Sequence, residues 1–359
     1  MNGRIALLPG DGVGPEVIAV CRPVLEAVGR RFGHVFSFAE APIGGHALET
    51  RGVPLPEETV ARCRAADAVL LGAVGGPQWD ENPAPLRPEA GLLGLRAALA
   101  LYVNLRPAVL YPCLQAASPL KPETSGGAFD ILIVRELTGG LYYGARGRTE
   151  AGAVFDTMVY SEHEVERVGR RAFALARARR GRLTSVDKAN VLDTSRLWRA
   201  VMHRLRAEYP DVTYEDMLVD NAAMQLVRRP GAFDVLVTEN TFGDILSDEA
   251  GAVTGSIGLL PSASLGEGRF GLYEPVHGSA PDIAGQDRAN PAAAVFSCAL
   301  MLRHTFGLTR EAEAVESAVL SAMAGKRKTA DLAGPGDTPV GTRAFGALIV
   351  EALMSWQNR

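Results

Sequence analysis

The stretch LLPGDGVGPEV, Leu7 to Val17, decides how the start of this chain is read. An apolar run from Ile5 to Leu8 breaks into a turn with Gly10, Gly12 and Gly14, and a helix-like segment opens at Pro15-Glu16. A dinucleotide-binding fingerprint reads G-x-G-x-x-G and has an acidic residue about 20 positions later, after a second strand. Gly10 and Gly12 fill the first two places, but the sixth is Pro15, and Gly14 falls one residue early. A proline has no amide to offer a phosphate. It does suit the first turn of a helix, as Gly14 suits the bend before it. The stretch therefore reads as a strand-to-helix corner that can line a site, not as a Rossmann pocket.

Beyond the corner, short β-rich runs alternate with helix-length segments. The runs RIALL, VFSFAEAPIG, AVLLGAV, DILIVREL, RLTSVDKAN, FDVLVTEN and FGLYEPV are strand candidates. PEVIAVCRPVLEAVGRRF, SEHEVERVGRRAFALARARR and TSRLWRAVMHRLRAEY are helix candidates. In the second of these helices, Val165, Val168, Ala172 and Leu175 recur at helical spacing and predict the buried stripe. Arg170, Arg171, Arg179 and Arg180 read as a solvated face, the last two also compensating the helix dipole. After Asn290-Pro291 three helix-like blocks follow with little strand between them, which predicts an α/β protein with helices concentrated at its C-terminal end. No repeat or low-complexity linker marks a domain boundary, so one domain is free to be discontinuous.

A chain of 359 residues is long enough for about two domains. With 47% hydrophobic residues and a net charge of −4, it is an ordinary globular protein with no global field that favours nucleic acid or an anionic membrane. An anionic ligand must then be recognised by local arginines. No apolar segment reaches the roughly 20 residues of a membrane span, and MNGRIALLPGDG is too short in its apolar part for a secretory signal. Cys21, Cys63, Cys113 and Cys298 are scattered without a CxxC pair, the pattern of reduced thiols in a cytoplasmic protein.

The sharpest chemical signal is NTFGDILSDEAG, Asn240 to Gly251. Asp244 and Asp248, at i and i+4, project from one helix face and repel each other unless a charge neutralises them. A hard divalent cation, Mg2+ or Mn2+, would do so; a helix start with one solvated acid is the plainer alternative. Two further residues add weight. Asp220 closes the strand-like MLVD, and Lys188 sits among small and β-branched residues in TSVDKANVL, where burial or a metal would fit it to act as a base. Its bland alternative is an ion pair with Asp187 or another acid. Arg96, Arg106 and Arg135 each follow apolar residues, which suits a clamp for carboxylates as well as structural ion pairs. Tyr142, in the glycine-bracketed TGGLYYG, offers an exposed phenol as proton donor, or packs with Tyr143.

With these residues in place, the chain resembles the β-decarboxylating dehydrogenases of 2-hydroxy acids, the isocitrate/isopropylmalate dehydrogenase family. GDGVGPEV, GAVGGPQWD, RPEAGLLGLR, NLRPA, VRELTGGLYYG, SVDKANVL, VDNAAMQLV, NTFGDILSDEAG, LLPSASLG and EPVHGSAPDIAGQDRANP occur in the family's order over nearly the whole chain. The resemblance implies a two-domain, non-Rossmann α/β fold with mixed sheets flanked by helices. It implies a discontinuous cofactor domain of residues 1–101 plus 255–359, and a dimerisation and substrate/metal domain of residues 102–254. The activity implied is NAD-dependent oxidative decarboxylation of (2R,3S)-3-isopropylmalate to 4-methyl-2-oxopentanoate and CO2, the third step of leucine biosynthesis. A malate/tartrate- or homoisocitrate-type relative is the alternative, with a non-redox metal-dependent lyase and a silent structural dimer as rivals of other classes.

Position by position, the resemblance implies that Arg96, Arg106 and Arg135 hold the two carboxylates of the malate moiety. Asp220, Asp244 and Asp248 would ligate Mg2+ or Mn2+ together with the substrate, and Lys188 and Tyr142 would transfer protons. Lys188 and Asp220 would reach the site from a second subunit, making a homodimer with shared active sites. Leu92 and Leu93, with Val191 from the partner, would form an apolar pocket where isocitrate enzymes present serine and asparagine. NAD+ would lie along His277, Gly278, Ser279, Ala280, Pro281, Asp282, Ile283, Ala284 and Gly285. Asp282 would take the ribose hydroxyls, Ala289 and Asn290 would complete the adenine end, and the segment from Gly76 to Glu89 the nicotinamide side. Thr241, where many relatives carry an apolar residue, and Glu249 are this chain's small departures.

Overall fold

The computed structural model describes residues 1–357. The chain divides into two compact units, one made of Met1–Leu101 together with the chain from Ser256 onward, the other of Tyr102–Gly255. In the first segment the elements are β1 (Asn2–Gly10), α1 (Gly14–Phe32), β2 (Val35–Glu40), α2 (Gly44–Arg51), α3 (Glu57–Ala65), β3 (Ala68–Ala73) and α4 (Pro88–Ala98). The second unit opens with β4 (Val103–Leu110), α5 (Pro122–Ser125), β5 (Phe129–Glu136), β6 (Arg146–Arg148) and β7 (Val154–Asp156). It continues with α6 (Glu162–Ala178), β8 (Arg182–Asp187), α7 (Asp193–Arg206), β9 (Thr213–Leu218), α8 (Val219–Arg228), β10 (Val235–Thr238) and α9 (Asn240–Thr254). The chain then returns to the first unit with β11 (Pro261–Leu265), β12 (Gly271–Pro275), α10 (Ala292–His304), α11 (Thr309–Ala324) and α12 (Thr342–Ser355).

The first unit orders its strands β2-β1-β3-β12-β11, with β11 antiparallel to β12 and the other pairs parallel. In the second the order is β4-β5-β10-β8-β9, with β4 antiparallel to β5 and the rest parallel. Central strands read as unbroken apolar runs because helices cover both faces: every residue of β3 and of β10 is buried. The edge strands β2 and β9 are only partly covered and alternate instead. Between Ala292 and Leu302, α10 is buried on all sides, which is why its sequence shows no polar face.

Two expectations are corrected here. In α6 the buried stripe is Val165, Val168, Gly169, Ala172, Phe173 and Ala176, while Leu175 is only partly covered. The face turns at 3.6 residues per turn, so it passes from position 172 to 173 and 176 and leaves 175 at its margin. The arginines near the end of α6 are not merely solvated. Arg179 pairs with Asp130 at 2.9 Å and Asp234 at 2.9 Å, and Arg180 reaches the wholly buried Asp234 at 3.6 Å, tying the helix end to the starts of β5 and β10. Earlier on the helix, Arg170 is held between Glu166 and Glu208. Ser161 and Glu164 form the reciprocal cap that starts this helix.

Candidate active site

The glycine corner is filled by protein. Gly10 and Gly12 have φ of +70° and +57°, a region that favours glycine. A Cβ on Gly12 would stand 2.0 Å from the Ser279 carbonyl oxygen, and the Val13 amide donates to that same oxygen at 2.8 Å. Glu16, in the first turn of α1, accepts from the Gly285 amide and, at 3.0 Å, from the Asp287 amide. The corner thus grips both ends of the 279–287 loop. Between the glycines, buried Asp11 accepts backbone amides from Gly45, His46 and Gly75 at 2.7–2.9 Å, joining three segments at one carboxylate.

Just before that loop the His277 ring orients itself. Nδ1 lies 2.9 Å from the Gly278 carbonyl oxygen, so it carries the proton, and burial pushes the imidazole pKa down. Nε2 is then a lone-pair acceptor, shielded from water and without a partner among the described residues. An amino group such as that of adenine is the kind of donor that this nitrogen accepts. Asp282 is exposed, while Ala289 and Asn290 are buried, with the Asn290 amide on Asp331 at 2.9 Å. Gly75 brings the chain against the Glu89 carboxylate, just before Gly76.

Arg96, on α4, is buried and paired with Glu274 at 2.7 Å, leaving its Nε without a partner among the described residues. Leu92, on the same helix, packs partly against the apolar core of this unit, and Leu93 is half-covered.

The second unit gathers the charged residues. The i, i+4 spacing on α9 presents Asp244 and Asp248 together, and the expected repulsion is met by guanidinium: Arg106 lies 3.3 Å from each. Arg135 also binds Asp244, and its aliphatic stem runs against Gly243, where a Cβ would meet Arg135 Cγ at 2.7 Å. Burial alone would raise the Asp244 pKa, but Arg135 and Arg106 outweigh it and hold the carboxyl below its usual range. Asp248 goes the other way: burial raises it, with Asp244 adding to the rise against the pull of Arg106. Tyr142 is part-buried and not a free phenol. Its hydroxyl donates to Asp244 Oδ2 at 2.9 Å, and burial together with that carboxylate pushes its pKa up to about 12.

Lys188 and Asp220 stand as a separate pair, Nζ to Oδ1 at 2.8 Å, and the Asp220 side chain is 61% exposed. The ion-pair alternative for Lys188 therefore holds within this chain, with Asp220 as partner. Asp187 faces the other way and takes both Arg199 nitrogens and the Ala189 amide. No three acidic, histidine or cysteine side chains able to hold a metal lie together among the described residues. Asp244 and Asp248 supply two hard oxygen donors one helical turn apart, a set suited to Mg2+ or Mn2+ but short of a third carboxylate. Val191, beside Lys188, is 62% exposed.

Several residues of this site were not singled out in the sequence. Glu239 caps α9, accepting the Thr241 and Phe242 amides at 3.0 and 2.7 Å. Asn240 takes Arg135 Nε at 2.9 Å, and Ser247 and Asn104 flank Arg106 at 2.6 and 2.8 Å. The glutamate stands in the motif TEN, and because Glu is not one of the usual N-cap residues nothing in the sequence marks it. The Thr241 hydroxyl is buried without a partner among the described residues, and burial raises the Glu249 carboxyl.

The family model described as isocitrate/isopropylmalate dehydrogenase matches residues 4–349. A 3-isopropylmalate dehydrogenase of Halalkalibacterium halodurans is 56% identical over 359 residues, covering 99% of each chain. Another of that name from Geobacillus kaustophilus is 58% identical over 360 residues, covering 99% of this chain and 96% of its own. Among solved structures, isocitrate dehydrogenase from Methylococcus capsulatus aligns with a TM-score of 0.88 at 36% identity, over 98% of this chain and 100% of that one. A likeness that runs through both units, in sequence as well as in backbone, makes this chain a member of the isocitrate/isopropylmalate dehydrogenase family.

Proposed function

We propose that the chain is an NAD-dependent 3-isopropylmalate dehydrogenase, which converts (2R,3S)-3-isopropylmalate to 4-methyl-2-oxopentanoate and CO2 in leucine biosynthesis. The observation that carries this reading is the identity of 56% across 99% of the length of a relative with that name. Leu92 and Leu93 support it, because an apolar pair on α4 suits an isopropyl group and offers nothing to a third carboxylate.

Arg96, Arg106 and Arg135 bind the two carboxylates, a task that guanidinium geometry suits. Asp244 and Asp248 hold Mg2+ or Mn2+ from one protomer, and Asp220 of its mate completes the set. The missing third carboxylate supports this arrangement, as does the exposure of Asp220. So do the exposed apolar side chains of Val191, Met224 and Ile245 in the same unit, 62%, 54% and 62% exposed, which call for cover by a second copy. NAD+ lies against His277 and Asp282, whose carboxylate suits ribose hydroxyls and disfavours a 2′-phosphate. Cys21, Cys63 and Cys298, buried thiols outside any disulfide, support a cytoplasmic location.

When bound, the metal polarises the C2 oxygen and NAD+ accepts the C2 hydride. Lys188 removes the hydroxyl proton as C2 becomes a ketone. The C2 ketone then takes up the electron pair of the bond between C3 and its carboxylate as that carboxylate leaves as CO2, which gives an enolate across C2 and C3. Tyr142 gives its proton to C3, a role open to it because a phenol raised to about 12 stays protonated at neutral pH.

The test is a panel of isopropylmalate, malate, tartrate, isocitrate and homoisocitrate, each with NAD+ and NADP+ and a divalent metal, followed by reduced-nucleotide absorbance. Isopropylmalate with NAD+ is expected to exceed every other pair by at least about tenfold in kcat/KM. A faster acid, or a preference for NADP+, overturns the assignment, and no reduced nucleotide with any acid would favour the lyase.

A further inference from the structure

The phenol of Tyr160 is used by none of the steps above, yet it sits where the parts of the site join. It is 8% exposed, between β7 and α6. Its hydroxyl donates to Glu239 Oε2 at 3.3 Å and accepts the Asn240 amide at 3.0 Å. Both partners stand at the start of α9, the helix that carries Asp244. Tyr160 also lies directly under the turn that carries Tyr142. A Cβ on Gly139 would come within 2.4 Å of Tyr160 Cε1, and one on Gly140, whose φ is +79°, within 2.8 Å of its oxygen. The turn is pinned around this ring by three further bonds. The Gly139 amide goes to Glu136 Oε2 at 2.8 Å, the Gly139 carbonyl receives the Asn240 side chain at 3.1 Å, and the Gly140 amide goes to Val159 O at 3.0 Å.

Two buried carboxylates, Glu136 and Glu239, flank this arrangement, with burial raising the pKa of each. Glu136 is satisfied by Thr138, Gly139 and the nearby Arg167, so its role is complete within its own turn. Glu239 spends one oxygen on Phe242 and shares the other between Thr241 and Tyr160. The phenol oxygen is therefore the atom that fastens the cap of α9 while its ring supports the Gly139–Gly140 turn. Asn240 extends the same link to Arg135. Tyr142 and its acceptor Asp244 approach each other from these two elements.

We propose that Tyr160 is a positioning residue for proton donation by Tyr142: it fixes the turn and the helix start whose separation sets the Tyr142–Asp244 hydrogen bond. This rests on the assignment of Tyr142 as a proton-transfer residue made above. A displacement of the order of an ångström between reacting groups is enough for large losses of rate.

The experiment is a double-mutant cycle on kcat in the full-length enzyme, with Tyr142→Phe, Tyr160→Phe and both together, each with a thermal midpoint and KM for both substrates. Tyr160→Phe is expected to lower kcat on the order of tenfold, with KM for NAD+ within about twofold. In the Tyr142→Phe background the same change should cost less than about twofold, because the group it positions is already gone. Trp198→Phe is the control for general loosening, since Trp198 packs on the Tyr160 ring at 5.9 Å but leaves its hydroxyl bonds in place. It should lower the midpoint comparably and keep kcat within about twofold. Full additivity of the two tyrosine changes, an unchanged kcat in Tyr160→Phe, or an equal kcat loss in Trp198→Phe overturns the proposal while leaving Tyr142 in its role. An unchanged kcat in Tyr142→Phe removes that role and the proposal with it.

Discussion

At the scale of single residues, the site works by setting carboxyl and phenol groups apart in proton affinity. Asp244, held low by Arg135 and Arg106 against burial, has a folded pKa below its ordinary 3.8. It therefore contributes stability above pH 3.8 that is lost as pH falls through the folded value. Tyr142 has the opposite sign. Raised from 10.0 to about 12, it contributes stability that is full below pH 10 and lost as pH rises towards 12. The thermal midpoint should accordingly fall more steeply between pH 10 and 12 in the native protein than in Tyr142→Phe, and equal slopes would refute the assignment. The charged residues were legible in the sequence because each interrupts an apolar run: Asp244, Asp248, Arg106 and Arg135 do come together. Their partners were not. Nothing in spacing says that Arg96 meets Glu274, or that the acid for Lys188 is Asp220, because both pairings depend on packing between elements distant in sequence.

Among elements, the glycine corner carries the clearest consequence. Gly12 combines a φ of +57° with the Ser279 carbonyl in the place of a side chain. Gly12→Ala should destabilise the protein by roughly 1–3 kcal/mol in thermal or denaturant unfolding. Because the displaced partner belongs to the loop assigned to NAD+, KM for NAD+ should rise several-fold with KM for the acid nearly constant; a variant that melts normally and binds NAD+ normally would contradict this. The failed dinucleotide fingerprint was readable from Pro15 alone, whereas the use of the turn to grip a segment far along the chain was not. Strands with unbroken apolar runs, such as β3 and β10, stood out from the sequence. Among the strands of five residues or more, β4, β9 and β11 did not, for different reasons, and neither did the three-residue β6 and β7. β4 holds an arginine and a proline, β9 is a polar edge strand, and β11 is the short, small-residue run PSASL.

For the molecule as a whole, the proposed sharing of sites between protomers makes a quantitative prediction. Lys188→Met and Asp244→Asn should each be inactive as the pure protein. Mixed in equal amounts, unfolded and refolded together, they should recover about a quarter of native activity, since half of random dimers are hybrids with one intact site. No recovery, or a solution mass of a single 38.1 kDa chain, would dismiss the shared site. The division into units left no mark in composition, because Leu101-Tyr102 and Gly255-Ser256 sit within ordinary ordered sequence and not in a flexible linker.

That division also bears on how the protein is made. β3 pairs with β1 on one side and with β12 on the other. While the chain leaves the ribosome, the second neighbour does not yet exist, and the whole of the intervening unit must be translated first. At roughly 5–20 residues per second that interval lasts on the order of ten to forty seconds. Throughout it, the most apolar strand of the N-terminal segment waits with one unpaired edge, the kind of edge that invites association with other nascent chains.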